Sequence, residues 1–228
     1  IEALIRGLIQ GLSEFLPISS SGHIELAKFL LDVEVKEDLT FTVVVHGATV
    51  LSTIVVFKND IADLLKGGLK FKWNPETRYI SMLVLSMIPV VFVGLFFKDD
   101  IESFFFGNIT LVGIMLIITA ILLTFATYYG SGKKEVNFLT AFIIGVAQTF
   151  AIPPGISRSG TTISTALLLN IKKESAAKFS FLMVLLPILG ANAKELLDGE
   201  FSNSSTGAIP LLIGFFASFI PSRNISVN

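Results

Sequence analysis

One stretch of this chain, Gln10–His23 (QGLSEFLPISSSGH), constrains the fold more than any other, because it sets ionisable groups inside an oily sequence. It holds the carboxylate of Glu14, the amide of Gln10, the imidazole of His23 and the hydroxyls of Ser13, Ser19, Ser20 and Ser21. An ionisable residue at membrane depth is expensive unless paired, so it marks a functional site by default. A second polar island follows 138 positions later. Aligning 7–31 with 145–169 without a gap matches Gly7/Gly145, Gln10/Gln148, Ile18/Ile156, Ser19/Ser157, Ser21/Ser159, Gly22/Gly160, Leu30/Leu168 and Leu31/Leu169. Such a self-match reads as a duplicated unit with a polar elbow in each half.

The solvent for this chain is lipid. Of its 228 residues 52% are hydrophobic and 15% charged, against about 25% charged in a soluble domain, and the mean hydropathy is +0.76. A net charge of −1 offers no electrostatic footprint for nucleic acid. With no cysteine, disulfides and thiolate metal sites are excluded. The 21 phenylalanines suit packing and lipid-facing roles. No cleavable signal is visible, since the first apolar segment runs straight into the elbow.

Residues 1–12 and 20–31 are apolar, helix-length pieces, each short of the roughly twenty residues needed to span. Around FLPIS they read as a re-entrant pair, and 138–152 with 160–170 repeat the pattern around PPGISRS. Full spans are predicted over 41–57, 79–97, 111–129 and 179–196, and 208–220 begins another that stops at Pro221. Lys/Arg-rich loops face the cytoplasm, which puts 58–78, 130–137 and 171–178 inside. The acidic segments 32–38 and 98–102, and the one around Asp198 and Glu200, then go outside. The two elbows therefore enter from opposite sides, an inverted-topology duplication whose tips meet near the midplane. The fold class expected is an all-α integral membrane protein, with two re-entrant helix pairs plus about five to six transmembrane helices. It forms a single membrane domain over 1–228, with repeats near 1–97 and 138–220.

In the second elbow, Pro154 and Gly155 set a tight turn, and a helix starting near Ser159 points its free N–H groups into the same space. Arg158 adds a planar fork that matches phosphate oxygens. The first elbow brings Glu14, Ser20 and His23: an acid, a hydroxyl nucleophile and an acid/base. Plainer readings stand beside these. Ser and Gly in membrane helices also serve close packing, Arg158 also serves to neutralise Glu14, and His46 reads as a hydrogen-bonding packing residue. Asp60–Leu69 has the option of a short surface helix, and Phe104–Phe106 reads as an interfacial anchor.

GLIQGLSEFLPISSSGH resembles the (E/Q)xxxE signature and following SS-x-GH of the undecaprenyl-diphosphate phosphatase, or bacitracin-resistance, family, and PGISRSGTT matches its PGxSRSxxT. The resemblance covers about residues 1–220. It implies a membrane enzyme that removes the terminal phosphate of a C55-type polyprenyl diphosphate. The entry of the first elbow from the acidic, outward side leads to the expectation of a multi-pass plasma-membrane protein with its site open to the outer face. Carried over by position, Gln10 and Glu14 are the (E/Q)xxxE pair, Ser20 and His23 the first-elbow pair, and Ser157, Arg158 and Thr162 the second-elbow set. Ser19, Ser21, Ser159 and Gly160 join them as substrate-binding candidates. A divalent cation, Mg²⁺ or Ca²⁺, is implied at Glu14. Gln10 takes the amide option, and FFASFIPSRNISVN breaks off where the family continues with a complete span and one more helix, which reads as a truncated C-terminus.

The mechanism expected is phosphoanhydride hydrolysis, with Arg158, backbone N–H groups and the cation neutralising the diphosphate. The attacking group is Ser20 with His23 as its partner, or water with His23 as base. The partners expected are the polyprenyl diphosphate and the bilayer, with a homodimer as one oligomeric option and no nucleic acid. The alternative is a transporter or flippase for an anionic lipid-linked substrate, since inverted repeats with broken helices are common there.

Overall fold

The computed structural model describes residues 2–14, 16–30, 39–105, 108–130, 132–197 and 207–225. Ten α-helices lie among them: α1 (Glu2–Ser13), α2 (Ser20–Leu30), α3 (Leu39–Val56), α4 (Lys58–Gly68), α5 (Pro75–Phe105), α6 (Ile109–Tyr129), α7 (Phe138–Thr149), α8 (Arg158–Leu168), α9 (Lys173–Leu197) and α10 (Ala208–Ile225). The one extended pairing among the described residues is a bridge between Lys134 and Ile171.

That bridge closes a hairpin. Helix α7 opens with a capping box, in which the Asn137 side chain accepts from Thr140 N at 3.0 Å and Thr140 Oγ1 accepts from Asn137 N at 2.9 Å. After α8, Asn170 turns left-handed (φ 66°), and its carbonyl accepts from the N–H groups of Lys133 and Lys134. Lys172 N then donates to Lys134 O at 3.0 Å. The chain thus leaves and returns at one end. The two helices have 12 and 11 residues, about 18 and 17 Å at 1.5 Å per residue, well short of a hydrocarbon core of about 30 Å. Helices α1 and α2 have the same lengths and pack side by side around Glu14–Ser19.

Pro75–Phe97 within α5 and all of α6 are long and apolar enough to cross a membrane. Helices α3 and α4, bent by 76° at Phe57, make a third span if the bent pair is counted as one. Helix α6 buries only Val112, Thr119 and Ala126, one residue every seven, while Ile114, Ile117, Ile121 and Phe125 stay exposed. A single small-residue seam on an otherwise apolar exterior suits a helix bathed in lipid. The seam side of α6 meets α8 and α2.

Several boundaries differ from the sequence reading. The acidic segment 98–102, expected as an outer loop, continues α5 to Phe105; no Gly or Pro lies between Gly94 and Gly107 to break the helix there. Helix α9 begins at Lys173, inside the segment expected as loop. Helix α10 runs through Pro221 to Ile225; Pro removes one backbone donor, a loss membrane helices tolerate where neighbours satisfy the freed groups. The surface-helix option at 60–69 is realised as α4. The segments 32–38 and 198–200 and the side chains of Phe104–Phe106 lie outside the described residues.

The three basic segments meet. Lys178 Nζ pairs with Asp60, Lys172 Nζ reaches Glu135 Oε1 at 2.7 Å, and Trp73 stacks on Phe138 at 6.4 Å. Hydrogen bonds from Lys172 and Ser175 hold the Glu135 carboxyl below the ordinary range, and Glu135 in turn raises Lys172. These contacts gather 58–78, 130–137 and 171–178 at one end of the molecule.

Close approaches recur at the 138-residue offset. Gly7 lets α1 lie against Gly214 of α10, and Gly145 lets α7 lie against Ser86 of α5. A Cβ on Gly22 would sit 2.8 Å from Gly155 Cα, and one on Gly160 would sit 2.6 Å from Pro17 O. Each elbow therefore rests on the first turn of the other hairpin's second helix.

Candidate active site

The crossed elbows cap a cavity of about 790 Å³ that α3, α5 and α9 wall in. Glu14, just past the end of α1, is its hub. Gln10, fully buried one turn earlier, donates from Nε2 to Glu14 Oε2 at 2.9 Å. Ser20 Oγ, at the start of α2, donates to the same oxygen at 3.0 Å. Arg158 NH2 approaches Glu14 Oε1 at 3.9 Å, with 40% of the Arg158 side chain and 15% of the Glu14 side chain exposed. An arginine at that distance and exposure keeps most of its fork available to an anion.

The small residues around these groups build the turns. Ser19 Oγ accepts from Gly22 N at 3.3 Å, and Ser157 Oγ accepts from Gly160 N at 3.0 Å, so each serine caps its helix. The hydroxyls of Ser19 and Ser21 lie 3.4 Å apart, and those of Ser157 and Ser159 lie 3.3 Å apart. Thr119 of α6 fastens the second elbow by donating to Gly155 O at 3.1 Å and accepting from Ser157 N at 3.2 Å. Ser19 itself has φ 71°, a left-handed conformation uncommon outside glycine, asparagine and aspartate.

Of the residues singled out from the sequence, Glu14, Ser19, Ser20, Ser21, Ser157, Arg158 and Ser159 line the cavity together. Gln10 sits behind Glu14. Gly160 and Thr162 lie behind the wall, and Thr162 Oγ1 donates to Arg158 O at 2.9 Å within its own helix. His23 Nδ1 donates to Ser19 O at 2.7 Å. Ser20 is thus hydrogen-bonded to Glu14, and His23 to backbone, rather than to one another. Among the described residues no group of three or more His, Asp or Glu side chains gathers as a metal cage, and Glu14 is the one carboxylate on the cavity wall.

The cavity also holds His46, which the sequence reading left to packing, and residues it did not name as site candidates. His46 lines it, as do Thr42, Gln148 and Ser180; Gln148 Oε1 and Ser180 Oγ are buried without a hydrogen-bond partner. The signal was present in the repeat. Beyond Leu31 the same offset pairs Phe41-Thr42 with Phe179-Ser180, both phenylalanines being buried. Along α3 and α9 it then pairs Val43/Phe181, His46/Val184, Thr49/Pro187 and Val50/Ile188, and both members of each pair line the cavity.

Comparison with known proteins gives a consistent result. Residues 3–225 match the family described as bacitracin resistance protein BacA. A protein of Christiangramia forsetii named undecaprenyl-diphosphatase is 52% identical over 96% of this chain and 84% of its own length. Proteins of the same name from Bacteroides thetaiotaomicron and Methanococcus maripaludis are 47% and 43% identical, each over 96% of this chain and over 85% and 86% of their own lengths. With both elbow motifs inside the matched region, this chain belongs to the bacitracin resistance protein BacA family.

Proposed function

We propose that this chain is a membrane-embedded phosphatase that removes the terminal phosphate of undecaprenyl diphosphate, leaving the monophosphate lipid carrier. The observation that carries the reading is the convergence of Ser20, Glu14 and Arg158 on one cavity, in a chain whose relatives bear the name undecaprenyl-diphosphatase. Nothing in the cavity separately favours the transporter reading.

Ser20 is the nucleophile. Its oxygen attacks the terminal phosphorus while its proton passes to Glu14, the acceptor it already meets at 3.0 Å. The bond from that phosphorus to the bridging oxygen breaks, and its electron pair leaves with the polyprenyl monophosphate. Water then attacks the phosphoserine; Glu14 returns its proton to Ser20, and both protons of the water leave with inorganic phosphate. Arg158 and the N–H groups at the start of α8 carry the charge of the phosphoryl oxygens. Gln10 holds Glu14 in place.

A divalent cation, Mg²⁺ or Ca²⁺, suits this site as a companion of the diphosphate. One carboxylate plus substrate oxygens is an ordinary Mg²⁺ environment, and Glu14 would hold the ion, whose charge would offset that of the phosphates.

The 138-residue correspondence of elbows, close glycine contacts and cavity-lining positions supports an inverted repeat within a single membrane domain. The short hairpin helices support re-entrant pairs. The gathering of the basic segments at one end supports a cytoplasmic placement of that end, with the acidic end and the cavity mouth outward. The experiment is phosphate release from undecaprenyl diphosphate by the purified chain in detergent, with acid-quench trapping of a phosphoserine at position 20. Absence of phosphate release would overturn the phosphatase reading; phosphate release without a trappable adduct would replace Ser20 by water.

A further inference from the structure

We propose that the two walls of the cavity divide the substrate. The α3 wall from the first repeat takes the diphosphate together with the two elbows, with His46 as a residue that touches it, and the α9 wall from the second repeat takes the first isoprene unit of the tail. This rests on the phosphatase reading above.

The cavity is lined from both halves at matched positions; the elbow positions and the Thr42/Ser180 pair are polar in both, but three matched positions differ in chemistry. Where the first repeat presents Glu14, His46 and Thr49, the second presents Ile152, Val184 and Pro187 at the same offset. A site that bound a small symmetric anion would have no use for that difference. An amphiphile with a charged head and an apolar stem requires it, because an unpaired charge against an apolar wall is costly and an apolar chain against a polar wall leaves buried polar groups unmatched. Arg158, contributed by the second elbow, lies 3.9 Å from Glu14 of the first and so joins the polar side of the site.

His46 is oriented for the head. Its Nδ1 lies 2.9 Å from the carbonyl oxygen of Thr42, one turn back in α3, so that nitrogen is the donor. The other nitrogen, Nε2, has no hydrogen-bond partner among the described residues and belongs to a side chain on the cavity wall. In its protonated form Nε2 donates to a phosphate oxygen, and a glutamine amide in its place would do the same. Val184 at the equivalent place in α9 carries no polar atom, and Ile152 and Ile188 beside it extend the apolar surface.

The test uses the full chain in detergent with two probes: farnesyl diphosphate as a cleavable head with a tail, and methylenediphosphonate as an uncleavable head without one. His46→Leu should weaken both, raising KM for the first and the inhibition constant of the second by about tenfold, the scale of one lost hydrogen bond to a charged group. His46→Gln should recover most of that loss, which a purely structural role would not predict. Val184→Asn should raise KM for farnesyl diphosphate by about tenfold and leave methylenediphosphonate within about threefold. If His46→Leu does not fold, His46→Ala makes the same comparison. Unchanged constants in the His46 variants, or a Val184→Asn effect equal on both probes, would overturn the division while the phosphatase reading stands. A parent chain that cleaves no prenyl diphosphate would overturn both.

Discussion

Gly160, in the first turn of α8, lies so close beneath Pro17 that a Cβ on it would sit 2.6 Å from the Pro17 carbonyl oxygen. The reciprocal contact, Gly22 beneath Gly155, is equally tight at 2.8 Å. These two contacts set the separation of the elbows, and with it the distance from Ser20 and Glu14 to Arg158. Gly160→Ala meets backbone rather than a yielding side chain, so it should cost about 1–3 kcal/mol of stability and lower activity by more than about tenfold. Gly113→Ala, with open space around it, is the control and should be neutral. Thermal unfolding and phosphate release in detergent read both outcomes.

The serines of the first elbow should separate by role. Ser20 meets Glu14, whereas the Ser21 hydroxyl, among the described residues, meets only Ser19, and Ser19 caps α2. Ser20→Ala should lower kcat by at least about a hundredfold, the scale of losing a nucleophile or its activation. Ser21→Ala should stay within a few-fold. Ser19→Ala should cost about 1 kcal/mol of stability as a lost cap. Equal loss of kcat in Ser20→Ala and Ser21→Ala would remove Ser20 from the chemistry.

Arg158 contacts Glu14 at 3.9 Å and leaves 40% of its side chain exposed, so its work is expected on the diphosphate. Arg158→Lys keeps the charge and loses the bidentate fork; kcat/KM should fall by about tenfold or more with little change in unfolding temperature. The double variant Arg158→Met with Glu14→Gln should be inactive yet folded, because neutral groups replace a pair. An active double variant would mark the pair as structural.

Orientation is open to chemical labelling, since the chain has no cysteine. Asn108, exposed at the cap of α6, is at the end opposite Lys66 of α4. With a membrane-impermeant thiol reagent, Asn108→Cys should react in intact cells and Lys66→Cys only after permeabilisation. The reverse pattern would invert the proposed topology.

Much of this protein was legible from residues alone, because solvent class, helix length and helix start are local properties. The low charge and long apolar runs announced lipid, the second elbow announced a helix starting near Ser159, one residue from the start of α8, and the 138-residue self-match announced two equivalent elbows. Helix ends were less legible: α5 and α10 run past an acidic segment and Pro221, respectively, since neither charge nor one lost donor is decisive once neighbouring helices support the backbone.

What only the tertiary structure decided is which polar groups meet. The sequence placed Ser20 and His23 three residues apart on one helix, a spacing that suggests partnership; the fold instead turns His23 to the Ser19 carbonyl and gives Ser20 to Glu14. His46 read as a packing residue because its neighbours in sequence are apolar, and it became part of the cavity only when α3 was set against α9. Spacing along a helix fixes which side chains share a face. It does not fix which faces converge, because that depends on how two hairpins cross, and here the crossing rests on contacts between glycines and backbone more than a hundred residues apart.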